Sequence, residues 1–192
     1  MYSGNDGAAP LSGSRRFFGQ NQWVAEWLAV LLVAVGAAFG VRIWVAQTYL
    51  IPSASMEPTL MIGDRILVNK LSYHLHGVGR GDIIVFAKPP KETSDPTIKD
   101  LVKRVIGLPG DVISSRGGQV FINGQVLHEP WLSPHVVTTG ISTQKVPPHE
   151  YFVMGDNRSD SQDSRFFGPI PGSLIVGRAV GRIWPLSRLH VF

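Results

Sequence analysis

The run from Trp23 to Ala46, WVAEWLAVLLVAVGAAFGVRIWVA, limits what the rest of this chain can be. Its centre, Trp27 to Val41, carries no charge. A helix of about 20 such residues, rising about 1.5 Å each, crosses the hydrocarbon core of a bilayer. Glu26 and Arg42 lie near the two ends, where long side chains reach the headgroups. Trp23, Trp27 and Trp44 suit the two aromatic belts. The run therefore predicts one transmembrane helix over residues 23–46. Two other readings compete. A buried core helix lacks a reason for interfacial chemistry at both ends. A cleaved leader has its charged start in Arg15 and Arg16, but the apolar run is long for a leader and is followed by Arg42.

Residues 1–22, rich in Gly, Ser, Asn and Ala, lack apolar periodicity and read as a flexible cytoplasmic tail. Arg15 and Arg16 favour a cytoplasmic N-terminus and Arg42 opposes it, while a large following domain is translocated largely regardless of loop charge. The reading is N-terminus in, with residues 47–192 as an extracytoplasmic domain of one cell membrane protein. The chain has 192 residues, enough for one ordinary domain beyond the span. Its net charge of +4 is scattered, with no basic run longer than two residues, which argues against nucleic acid as a partner. The absence of cysteine excludes disulfides, thiolate catalysis and Cys-ligated zinc.

Beyond the span, RILVNK, GDIIVFAK, EYFVMGD and SLIVGRAVGRIW read as short strands. QVFINGQVL is a hairpin, with Asn123-Gly124 supplying the positive φ angles of a type I′ turn. KPPKETSDPTIKD and VVTTGISTQKVPPHE read as loops. No long amphipathic helix follows residue 46. The fold class expected is mostly β, an antiparallel barrel or sheet preceded by one transmembrane α-helix.

YLIPSASMEPTL, directly after the span, places Ser53 and Ser55 between two prolines. A serine hydroxyl is a poor nucleophile until a base takes its proton. The six histidines lie in polar or turn-like surroundings and none sits in a zinc motif, so no metal site is expected. A triad built from distant residues stays open. Lysine is the other base, provided that burial lowers its pKa from about 10.4. Lys88, Lys91, Lys99 and Lys145 lie in polar loops and read as solvated, and Lys70 ends a strand. Lys103 stands alone within the apolar run of LVKRVIGLPGD, sharing a strand face with Leu101 and Val105. A lysine guarding an edge strand would look the same. MGDNRSDSQDSRFFG, pinned between apolar segments, offers Asp163 and Arg165 as a pair and Ser161 as a hydroxyl.

Taken together, PSASMEPTL, GDIIVF, KRVIGLPGD and GDNRSDSQDSR, in this order behind an apolar anchor, resemble the bacterial type I signal peptidases, over roughly residues 24–185. The likeness is to the smaller, single-anchor members. It implies Ser55 as nucleophile, Lys103 as general base, and Ser53 with the Ser55 backbone amide as the oxyanion hole. It implies that Ser161 hydrogen-bonds and orients the lysine, that Asp163 and Arg165 form a supporting ion pair, and that Asp156, Asn157 and Arg158 are mainly structural. It implies a mostly antiparallel β-domain with an exposed apolar surface beside the bilayer. The reaction implied is removal of signal peptides from secretory preproteins after a small residue, with membrane lipid as surroundings, no cofactor and no obligate protein partner. A Ser-Lys autoprotease of the SOS-repressor type and a tethered β-domain that only binds a partner are the rival readings. The span and the GDNR box speak against the first.

Overall fold

A computed structural model describes residues 22–93 and 96–192, with the side chains of residues 22, 39, 41–44 and 74 outside the description. The tail expected over 1–22 lies outside the described residues, save the backbone of Gln22, as do the interfacial roles of Arg42 and Trp44. The chain divides into two compact units, Met1–Val41 and Arg42–Phe192.

The first unit holds most of helix α1, Gln22–Trp44, which has 23 residues. Its apolar side chains lie exposed all round, including Trp27, Leu28, Leu31, Leu32 and Val33. Among the described residues no helix is long and apolar enough to cross a membrane.

The second unit is a β-structure. Its strands are β1 Ala46–Leu50, β2 Arg65–Asn69, β3 Ile83–Ala87, β4 Asp100–Gly107, β5 Val112–Arg116, β6 Gln119–Ile122, β7 Gln125–Val126, β8 Gln144–Lys145, β9 Glu150–Met154, β10 Ile170–Pro171, β11 Ile175–Trp184 and β12 His190–Val191. Two four-residue helices interrupt them, α2 at Ser72–Leu75 and α3 at Ser164–Phe167. The larger sheet runs β1-β2-β11-β3-β4-β9-β10, with β12 paired to β11; the smaller runs β7-β6-β5-β8. All pairings are antiparallel. Antiparallel neighbours need only short connections, which suits a chain punctuated by Gly and Pro.

Alternation explains the composition of the central strands. In β3, Ile83 and Val85 belong to one core cluster with Ile51, Met56, Leu60 and Ile66, while Ile84 and Phe86 belong to another with Val105, Val153 and Phe167. A strand buried on both faces reads as a continuous apolar run, as IIVF does. In β9, Phe152 and Met154 turn to a third cluster with Ile106 and Ile113, and Val153 turns back to the second. The β6–β7 hairpin closes on Asn123 (φ 53°) and Gly124 (φ 82°), with Ile122 opposite Gln125. Sequence reading carried the span to Ala46; the helix stops at Trp44 and Ala46 begins edge strand β1.

At one end of the larger sheet Leu50 pairs with Arg65 and Arg65 with Trp184. Leu50 and Trp184 are exposed there, as are Ile62, Leu186 and Leu189 close by in the chain. Buried Asp64 holds Arg188 beneath this rim, Arg188 Nη1 donating to Oδ1 at 3.1 Å.

Candidate active site

Ser55 is presented by a short turn whose two ends are buried. Ile51, Met56 and Leu60 sink into one core cluster. Between them Ala54–Met56 make a single 3₁₀ turn, leaving Ser55 half-buried and Ser53 exposed. The Oγ atoms of Ser53 and Ser55 are 3.4 Å apart. Neighbouring carbonyls are tied down from the far end of the chain: Asn157 N donates to Ser55 O at 3.1 Å and Asn157 Nδ2 to Ala54 O at 3.2 Å.

Lys103 comes from β4, paired to Ile84 of β3. It is 3% exposed, far from the wet edge position that its surroundings in sequence also allowed. Its Nζ lies 2.5 Å from Ser55 Oγ and donates to it. Burial pushes its pKa down to about 8, opposed by the negative charges of Asp163, Glu92 and Asp156 and aided by Arg165. At that value the amine is neutral in a substantial fraction of molecules near pH 8, and the hydroxyl then donates to its lone pair.

The last box wraps this pair. Asp163 is fully buried; its carboxylate accepts from Arg165 Nε and Nη2 at 2.9 Å each and from Gly155 N at 3.1 Å. Asp163 also caps α3, accepting from Arg165 N. Asp156 accepts from both Arg104 Nε at 2.9 Å and Arg104 Nη2 at 2.7 Å, and from Thr59 Oγ1 at 2.5 Å. Ser161 is buried, but its Oγ has no hydrogen-bond partner among the described residues. The expected bond from Ser161 to the lysine is absent; the hydroxyl that Nζ meets is that of Ser55. Gly155 is the packing hinge of the site. A Cβ there would stand 2.3 Å from Ser161 Oγ and 2.3 Å from Ser55 O, so only glycine fits.

From the dyad a groove of about 80 Å³ leads between two strands, lined by Tyr49, Leu50, Ile51 and Pro52 on one side and Ile98, Asp100, Leu101 and Val102 on the other. Among the described residues β1 pairs with β2 alone. β4 pairs with β3 over residues 100–104 but with β9 only from Arg104 onward. Both walls of the groove are thus strand edges. Tyr49 is pushed up to about 12, first by burial and then by the charge of Asp100 and its hydrogen bond.

Residues 24–184 match the family model described as "Signal peptidase, peptidase S26". The chain is 44% identical to "Signal peptidase I" of Leptolyngbya laminosa over 85% of this chain and 81% of that protein. It is 41% identical to "Probable signal peptidase I-2" of a Synechocystis species, covering 88% and 77%. It is 40% identical to "Signal peptidase I" of Bacillus caldolyticus, covering 81% and 89%. The chain belongs to the signal peptidase family, peptidase S26.

For a signal peptidase of this family, several site neighbours escaped sequence reading. Arg104, which faces away from Lys103 on β4, is buried and forks onto Asp156. Thr59 lies in the nucleophile box yet reads as a plain turn residue. Glu92 is buried and pairs with Lys88 at 2.9 Å, so Lys88 is not the solvated loop lysine expected. Lys88 and Glu92 meet across a non-helical turn, Glu92 N donating to Pro89 O at 2.9 Å, a pairing that no local pattern marks.

Proposed function

We propose that Ser55 is the nucleophile and Lys103 the general base with which this signal peptidase, a serine endopeptidase, removes signal peptides from preproteins. The observation that carries the proposal is the 2.5 Å approach of a 3%-exposed lysine amine to the serine hydroxyl.

The substrate lies extended in the groove, adding its backbone to the bare edges of β1 and β4. The narrow apolar walls admit a small side chain next to the cleaved bond. Ser55 Oγ attacks the scissile carbonyl while neutral Lys103 takes its proton. The Ser55 N–H and the Ser53 hydroxyl hold the oxyanion, a donor of this kind being worth about 3 kcal/mol in the barrier. Protonated Lys103 then gives its proton to the leaving amine. Water, deprotonated by the same lysine, releases the acyl group from Ser55. Asp163 and Arg165 fix the wall beside the base, Asp156 fixes the arginine next to it, and Ser161 fills the space over Gly155.

The same reading makes α1, Gln22–Trp44, the membrane anchor, the residues before it a cytoplasmic tail and the β-structure from Ala46 onward an extracytoplasmic catalytic domain. Its support is the charge-free stretch Trp27–Val41 and the exposed apolar side chains around α1. The exposed rim of Leu50, Ile62, Trp184 and Leu186 is the face offered to lipid.

Cleavage of a synthetic preprotein by the purified chain tests the dyad. Ser55→Ala and Lys103→Ala are expected to lose turnover, and wild-type speed in either would end the assignment. The wild-type rate, kcat/KM, should rise about tenfold per pH unit on its acidic side and level off near pH 8.

A further inference from the structure

The segment LHEPWLSPHVVT, Leu127–Thr138, follows the β6–β7 hairpin and precedes β8. Both its ends are tied to the smaller sheet, Leu127 N donating to Val120 O and Thr138 N to Gly118 O at 2.8 Å each. Between these ties two of its side chains take hold of two buried arginines. The Glu129 carboxylate accepts from Arg158 Nη1 at 3.1 Å and from Arg158 Nη2. The Trp131 ring stacks on Arg104, its centroid 4.6 Å from Cζ.

Each arginine passes the contact on to a neighbour of Ser55. Arg158 Nε donates to Gly155 O at 3.1 Å. Arg104 forks onto Asp156, whose Oδ2 also accepts from Thr59 four residues past Ser55. Asn157, next in line, holds the carbonyls of Ser55 and Ala54. Arg104 also adjoins Lys103 on β4. Residues on both sides of the 2.5 Å gap are thus braced through the same two cations.

We propose that residues 127–138 are a positioning strap, in which Glu129 and Trp131 hold the Ser55 turn in register with Lys103 by fixing Arg158 and Arg104. The proposal rests on the Ser55–Lys103 reading. Its chemistry is particular. Arg158 is buried, and removing its carboxylate partner leaves an uncompensated charge. Trp131 acts through its ring face, as the cation–π contact requires. Its Nε1 is buried without a hydrogen-bond partner among the described residues, so a phenylalanine ring supplies all that is used.

The test uses the full chain in detergent micelles, a synthetic preprotein with a small residue before the cleaved bond, and the variants Glu129→Gln, Trp131→Leu and Trp131→Phe. Misplacing a reacting atom by about 1 Å costs about 100-fold in rate, so Glu129→Gln and Trp131→Leu should lower kcat by about 10- to 100-fold with KM little changed. Trp131→Phe should recover most of kcat. Thermal unfolding establishes the folded fraction of each variant. Ser55→Ala is assayed alongside. If Ser55→Ala is inactive while folded Glu129→Gln and Trp131→Leu keep wild-type kcat, the strap proposal fails alone. A rise in KM with kcat intact, or a loss that follows the folded fraction, also overturns it. Activity in Ser55→Ala overturns the dyad and the strap together. Should Trp131→Leu not fold, Glu129→Gln carries the test, and wild-type kcat in folded Glu129→Gln overturns the strap.

Discussion

Lys103 shows what the site costs the fold. Its ammonium is destabilised by burial, with pKa about 8 when folded against about 10.5 when unfolded. The folded state therefore binds fewer protons between these two values, and stability contributed by this group rises with pH from about 8 to 10.5. Below pH 8 the full penalty is present. Replacing Lys103 with Met, which keeps the length of the side chain but not the charge, should stabilise the protein at pH 7 by up to about 3 kcal/mol, at about 1.36 kcal/mol per unit. At pH 11 the gain should vanish. Denaturant unfolding at the two pH values measures it, and equal gains would mean that burial does not act on the charge. The residue itself was legible in sequence as a lone cation in an apolar run. Its partner Ser55 was legible from a box of motifs, and the distance between them was not. For Arg104, alternation tells which face of β4 the side chain takes, but not that another layer covers that face and buries it.

At the scale of elements, the strands with apolar runs or clean turns stood out in the sequence, and β1 did not. AQTYL is short, half polar and directly continuous with α1, so period and composition favoured extending the span. It becomes a strand because β2 offers it a ladder, a tertiary cause that no local pattern carries. Glycines separate two kinds of constraint here. Gly124 has φ 82° and open space around it, so Gly124→Ala should cost about 1 kcal/mol from backbone strain alone. Gly177 lies in β11, where a Cβ would stand 2.5 Å from Asn69 O, so Gly177→Ala must push β2 away and should cost about 1–3 kcal/mol. Urea unfolding of the two variants ranks them. A larger loss at Gly124 would show that the hairpin, not the β2–β11 contact, is the stricter joint.

For the whole molecule the issue is which side of a membrane each part occupies. An apolar rim of Leu50, Ile62, Trp184, Leu186 and Leu189 is exposed on the catalytic unit, with Arg65 among its strand neighbours. Arginine beside aromatic and aliphatic side chains suits the boundary between lipid tails and headgroups. On the proposed topology, protease added to cells with a permeable outer layer and an intact inner membrane should digest that unit. It should leave a fragment ending near the anchor. Full protection in sealed cells, with digestion only after lysis, would reverse the topology.

The bare edges that face each other across the groove have a consequence for the kind of information the enzyme takes from its substrate. A backbone ladder is blind to side chains, so most of the grip on the substrate is indifferent to sequence. In an extended chain, successive side chains point to opposite sides. A substrate lying extended in the groove, as proposed, would turn only alternate residues to its walls. On the binding mode proposed above, the site would read its text one letter in two and accept many leaders that share little beyond a small residue at the cleaved bond and the ability to lie straight.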